Sequence, residues 1–133
     1  MRLLTAALCD HAAETQSGKL DLQGVFYDLY APGFPAQQGR MMLVLALEWD
    51  QSDKGRHDFR VDVKGPDGNL TLSVDGYSEV SPRPPGRPPP RTRLVMPLEN
   101  VVFPAPGRYD FHITVKGRQL DGPVLHLVEM DED

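Results

Sequence analysis

The stretch Pro104–Gly117, PAPGRYDFHITVKG, restricts what this chain can fold into more than any other. Pro104, Pro106 and Gly107 form a turn by composition. Tyr109, Phe111, Ile113 and Val115 then alternate with Asp110, His112, Thr114 and Lys116. A period of two with one apolar face is the pattern of a half-buried antiparallel strand. Lys116-Gly117 ends the strand and Arg118 begins the return arm of a hairpin. A lone hairpin cannot bury its apolar face, so it requires further sheet to cover it.

The rest of the chain supplies that sheet. Leu3–Cys9 is apolar at alternate and intervening positions, as a strand inside a sheet would be. Asp10–Ser17 reads as a polar connection, and Leu20 and Leu22 open a second strand. Beyond Gly24 the phase changes, and Val25, Tyr27 and Leu29 form the apolar row. Glycine at a phase slip marks a bulge or a bend, so this long strand is expected to pass from a sheet edge to a corner. Ala31–Gly39 is a loop with Phe34 turned inward. Met41, Leu43, Leu45, Leu47 and Trp49 then make the longest apolar row. Met42, Val44 and Ala46 on its other face predict a central strand covered on both sides.

Phe59, Val61 and Val63 alternate with charged residues, the Gly65–Gly68 segment is a tight turn, and Leu70, Leu72 and Val74 form the return arm. Residues 81–90, SPRPPGRPPP, lack the amide donors a sheet needs and read as an extended loop. Leu94, Met96 and Leu98 resume a strand that Pro97 assigns to an edge. Val124–Val128 is the last strand, and residues 129–133 are an acidic tail.

No segment carries the spacing of a helix over several turns. Short strands with Gly and Pro between them predict an all-β protein, an antiparallel β-sandwich of about eight strands with immunoglobulin-like architecture. Tyr109, opening a strand after Pro-Gly, resembles the tyrosine corner of such sandwiches, although the Cys…Trp…Cys spacing of true immunoglobulin domains is absent. The 133 residues are expected to form a single domain, 1–133, large enough to bury a core without staples.

Composition narrows the function. A net charge of −5 argues against general affinity for nucleic acid. No apolar run approaches the length of a membrane span. A single cysteine, Cys9, fits a reducing compartment, and the expected location is cytoplasmic. Arg2 followed by Leu3–Cys9 imitates a short signal peptide, but Asp10 and His11 follow at once, and the segment reads as a first strand.

Several short pieces also carry a resemblance: Leu8-Cys9-Asp10-His11-Ala12, Gly18-Lys19-Leu20, Gly24-Val25-Phe26, Phe34-Pro35, and Phe103-Pro104 followed by Pro106-Gly107-Arg108-Tyr109. Together they resemble a family of uncharacterised bacterial proteins known as a domain of unknown function, with a predicted immunoglobulin-like β-sandwich. The resemblance spans nearly the whole chain and implies the fold. It implies no catalytic residue, because motifs of turns and core positions specify no chemistry.

The candidate sites are few. Cys9 and His11 share a strand face, but no second ligand pair stands at metal-site spacing, so Cys9 reads as a buried structural residue. His57, His112 and His126 stand singly. Asp50, Asp53 and Asp58 in one turn and Asp75 and Glu79 in another could meet at one end, yet Lys54 and Arg56 interrupt them and no oxygen-ligand spacing appears. The most distinctive feature is the arginine-proline segment. From Val80 to Leu98 there is no acidic residue, whereas Arg83, Arg87, Arg91 and Arg93 all fall there. Arginines beside a Pro-x-x-Pro core suit partner recognition, and stiff proline also serves as a plain spacer.

No nucleophile elbow, phosphate loop, dinucleotide fingerprint or paired-carboxylate motif is present. The expectation is a non-catalytic β-sandwich, not an enzyme and without a cofactor, that binds another protein or a second copy of itself through edges and loops. The alternative is a small-ligand or carbohydrate-binding sandwich using Trp49, or Tyr30 and Tyr77, as its platform.

Overall fold

In the computed structural model, which describes residues 1–130, the described chain contains strands and no helix. The strands are β1 (Arg2–Glu14), β2 (Leu20–Val25), β3 (Asp28–Ala31), β4 (Ala36–Glu48), β5 (Gly55–Lys64), β6 (Leu70–Val80), β7 (Arg91–Phe103), β8 (Gly107–Val115) and β9 (Arg118–Glu129). They form a four-stranded sheet in the order β2-β1-β4-β7 and a five-stranded sheet in the order β3-β9-β8-β5-β6. The second sheet curls as a half-barrel. The acidic residues 131–133 lie outside the described chain.

The anchoring hairpin forms as its sequence requires. Val115 pairs with Arg118 across a two-residue turn in which Lys116 and Gly117 both take positive φ, 54° and 70°. This is the geometry that matches the right-handed twist of the flanking strands. Tyr109, Phe111, Ile113 and Val115 turn inward and are buried. They meet Leu43, Leu45 and Leu47 of β4, Val61 and Val63 of β5 and Phe103 of β7 in one core shared by both sheets. Phe34 packs on this core from the β3–β4 loop.

Tyr109 fastens the corner that leads into β8. Its hydroxyl donates to the Ala105 carbonyl at 2.6 Å and accepts from the Ala105 amide at 3.2 Å. The ring meets Phe103 edge-on, with centroids 5.0 Å apart.

β4 lies between β1 and β7, and both of its faces are buried, as the double apolar pattern predicted. The cover on its outer face comes from an element that the sequence did not suggest. β1 continues as a strand to Glu14, so residues 10–14 are not a connection. The tip of the β1–β2 hairpin then lies over the four-stranded sheet. Ala12, Leu20 and Leu22 pack on Cys9, Met42 and Val44, and Glu14 reaches Arg93 on β7 at 3.7 Å.

The chain around Gly24 needs two further corrections. The predicted single bent strand is two strands in different sheets, with the crossing at Phe26–Tyr27. Leaving one sheet resets which residues face inward. Phe26 and Leu29 therefore pack on the core, while Val25 and Tyr27 are exposed. β3 also joins β9 in parallel, so the strand pairing is not wholly antiparallel. β9 begins at Arg118, well before the expected Val124, with a register shift between Asp110 and His112 of its partner strand accommodating Gly122-Pro123.

Among the described residues no helix is long and apolar enough to cross a membrane.

Candidate functional site

The site is built where β4 ends, β6 ends and β7 begins. Trp49 follows β4 and is 2% exposed. Its backbone amide donates to the Pro90 carbonyl at 2.8 Å, which fixes the last residue of the proline segment against the sheet. Its indole N–H donates to the Thr92 hydroxyl at 2.8 Å, and that oxygen lies 2.9 Å from the Ser78 hydroxyl. Buried Trp usually finds a partner for its one donor, and here two hydroxyls link the facing edges of the two sheets.

His57 lies across from Ser78 in the β5–β6 register and stacks on Trp49, with ring centroids 4.9 Å apart and planes 27° apart. Its Nε2 is buried without a hydrogen-bond partner.

Above this base, residues 81–88 are exposed, Pro89 is half-buried and Pro90 is buried. The Arg87 amide donates to the Pro84 carbonyl at 3.3 Å and closes a turn. Gln51 Nε2 approaches the Pro84 and Arg87 carbonyls, both at 3.4 Å. The loop is thus tied down at its turn as well as at its ends.

The four arginines divide into two pairs. Arg83 and Arg87 stand on the loop and make no ion pair among the described residues. Arg91 and Arg93 belong to β7, so treating all four as one loop set is corrected. Arg91 meets Glu48 at 3.1 Å, and Arg93 meets Glu14 at 3.7 Å. Glu48 also takes Arg2 at 3.1 Å. The hydrogen bond from Arg91, then that from Arg2, holds the Glu48 carboxyl below the ordinary glutamate range. The acid-free run from Val80 to Leu98 thus conceals two acidic partners that arrive from elsewhere in the chain.

The other candidates disperse. Cys9 is fully buried and His11 exposed. Burial pushes the Cys9 thiol up, with the Asp10 charge adding to the effect. Asp53 accepts from Lys116 Nζ at 2.6 Å and from the Asp50 amide at 2.8 Å. The Lys116 hydrogen bond holds its carboxyl below the usual range. Asp58 pairs with Arg56 at 3.1 Å and Asp75 with Arg60 at 3.4 Å. Among the described residues no group of His, Cys, Asp and Glu is placed to hold a metal ion. His112 Nδ1 lies 2.6 Å from Gln119 Nε2, and His126 is exposed.

The aromatic platform is not assembled. Trp49 is buried, and Tyr30 and Tyr77 lie on β3 and β6, the opposite edges of the five-stranded sheet. At ~4.8 Å per strand the path between those edges along the curled sheet is roughly 19 Å. The Tyr77 ring instead receives the Arg56 guanidinium, 4.1 Å from its centroid.

The Trp49–His57–Ser78–Thr92 cluster was not legible in the sequence. His57 and Ser78 lie on different arms of one hairpin, and only the register places them opposite each other.

Two β-sheets around one core, with a fastened arginine-proline loop at one end, define an all-β fold. The chain belongs to the family described as Family of unknown function (DUF6941), whose model matches residues 4–128. None of the curated proteins matches it significantly.

Proposed function

We propose that this protein is a non-catalytic, immunoglobulin-like β-sandwich of the cytoplasm that binds a protein partner carrying an acidic surface patch. The observation that carries the reading is the loop at residues 81–90. Its backbone is held by Trp49 and Gln51, while Arg83 and Arg87 extend from it without carboxylates of their own. An anchored loop loses little conformational freedom on binding, and arginine forks match carboxylates bidentately. Neither cation is committed to an ion pair among the described residues, so both are available to an acidic partner.

Three features support the immunoglobulin-like part. The connections β2–β3, β3–β4, β4–β5, β6–β7 and β7–β8 all cross between the sheets. Tyr109 bonds back to the corner before its strand, as the tyrosine corner does. One core is shared by both sheets. The non-catalytic part draws on the thiol and hydroxyls. Cys9 is buried with a raised pKa, the opposite of an activated nucleophile. Ser78 and Thr92 are bonded to each other, and Thr92 also accepts from the Trp49 indole N–H. The cytoplasmic part rests on the single, buried cysteine and the reducing environment it suits.

The test compares three immobilised baits: the natural chain, Arg83→Ser/Arg87→Ser, and Arg91→Ser/Arg93→Ser. The first double variant is expected to melt with the natural protein and to lose the captured partner. The second is expected to lower the melting temperature and keep the partner. Equal capture by the natural chain and Arg83→Ser/Arg87→Ser would overturn the loop reading.

A further inference from the structure

Four strands end the two sheets: β2 and β7 in one, β3 and β6 in the other. An unpaired edge is a row of free amides and carbonyls, and natural proteins guard such rows or use them. The register tells which residues are free. Val115 and Arg118 flank a two-residue turn and form a hydrogen-bonded pair. The backbones of Asp110, His112 and Thr114 therefore face Lys64, Asp62 and Arg60 of β5. Intervening residues of β5, including Phe59 and Val61, face β6 and meet Gly76 and Val74. The same alternation leaves the N–H and C=O of Ser73, Asp75, Tyr77 and Glu79 directed outward from β6.

On β7 the Trp49-to-Pro90 bond sets the opposite outcome. Pro90, Thr92, Leu94, Met96 and Leu98 face β4, so Pro97 faces outward with no N–H to offer. Asn100, at a φ of 54°, kinks that strand further along. β3 is four residues long, and β2 is six, interrupted by Gly24 at a φ of 69°. β6 is eleven residues long and carries no proline. Three edges are blunted, and β6 is the open one, with its Ser78 end meeting Thr92 of β7.

We infer that β6 is a docking edge for an extended segment of the partner protein, one that alternates basic and apolar residues. This deepens the partner reading above and rests on it, with β6 running directly into the arginine-proline loop. Side chains of an added strand alternate between the two faces of the sheet. On the inner face they meet Leu72 and Val74, both half-buried at the margin of the core. On the outer face they meet Ser73, Asp75, Tyr77 and Glu79; Asp75 shares Arg60 with Asp62, and Glu79 makes no ion pair among the described residues. The arginines next to them on β5 are already engaged. Arg56 meets Asp58 at 3.1 Å, and Arg60 meets Asp62 at 2.9 Å while reaching Asp75 at 3.4 Å. The carboxylates repel a second β6 and favour lysine or arginine directly opposite.

The experiment uses the whole protein and a short peptide alternating lysine and valine, with a glutamate–valine peptide as control. Binding is followed by fluorescence anisotropy and amide hydrogen exchange. The lysine–valine peptide is expected to bind and to protect the amides of Ser73, Asp75, Tyr77 and Glu79. Tyr77→Pro removes one outward donor and leaves the β5 ladder complete, as Pro97 does on β7. It is expected to weaken binding by up to about tenfold, the worth of one hydrogen bond. Tyr77→Ala, which keeps the donor, separates that effect from loss of the ring. Asp75→Lys/Glu79→Lys is expected to abolish binding without a change of fold. Since the peptide carries no acid, Arg83→Ser/Arg87→Ser is expected to leave its affinity unchanged, so failure of the loop reading and failure of the edge reading are distinguishable. Equal binding of the glutamate–valine peptide, unchanged affinity in Tyr77→Pro, or no protection at the four amides would overturn the inference. So would protection of those amides by raising the protein concentration alone, which would make the occupant a second copy.

Discussion

Replacing Tyr109 by Phe removes one oxygen atom from the protein and should be felt across the whole domain. That oxygen serves Ala105 twice, accepting from its amide and donating to its carbonyl. The ring is buried, and its contact with Phe103 survives the change. The loss is therefore polar, not a cavity. Each net hydrogen bond contributes about 1 kcal/mol, and a backbone group left without a partner away from water raises the cost. The expected destabilisation is about 2 kcal/mol. For a chain of this size that lowers the melting temperature by roughly 6–10 °C in a calorimetric scan.

The same residue predicts a pH dependence. Burial is the largest cause raising the Tyr109 phenol above its ordinary value, opposed by its hydrogen bond with Ala105. The folded state holds the proton more tightly than the unfolded chain. This contribution is complete below the ordinary tyrosine range and is lost as pH rises through the raised folded value. The gap between the natural protein and Tyr109→Phe should narrow in strong alkali. A shift below about 2 °C at neutral pH would refute the reasoning, because it would mean that water replaces the hydroxyl at Ala105 without loss.

Three further outcomes are expected. Cys9, buried with a raised pKa, should resist a thiol reagent at neutral pH in the native protein and react fully after unfolding; rapid native labelling would place it nearer the surface. Asp53 titrates below its ordinary range because of Lys116, so its stabilisation is present above the unfolded value and is lost as pH falls through the lowered folded value. Asp53→Asn should flatten that part of the acid limb of a stability–pH curve, and an unchanged acid limb would show that the ion pair contributes nothing. Gly122→Ala would bring a Cβ within 2.7 Å of the Phe111 carbonyl oxygen, a backbone atom that cannot rotate away. It should destabilise by about 1–3 kcal/mol in denaturant unfolding, and a neutral effect would mean that the register shift at this point yields.

The sequence by itself determined the period-two rows, the Lys116-Gly117 turn, the double-faced β4 and the edge position of Pro97. Side-chain alternation and turn geometry depend on a few consecutive residues, so they are legible without knowing what lies opposite. The tertiary structure decided everything that depends on which segments meet. It split the strand at Phe26–Tyr27 between two sheets and laid Ala12, Leu20 and Leu22 over Met42 and Val44. It also supplied Glu48 and Glu14 to Arg91 and Arg93, so that of the four arginines only Arg83 and Arg87 make no ion pair among the described residues. Ion pairs and stacked rings act through space over a few ångströms, whereas their members stand tens of residues apart in the chain. Sheet closure around the shared core selects among many possible neighbours, and that selection is a collective property of the packed chain rather than of any one segment.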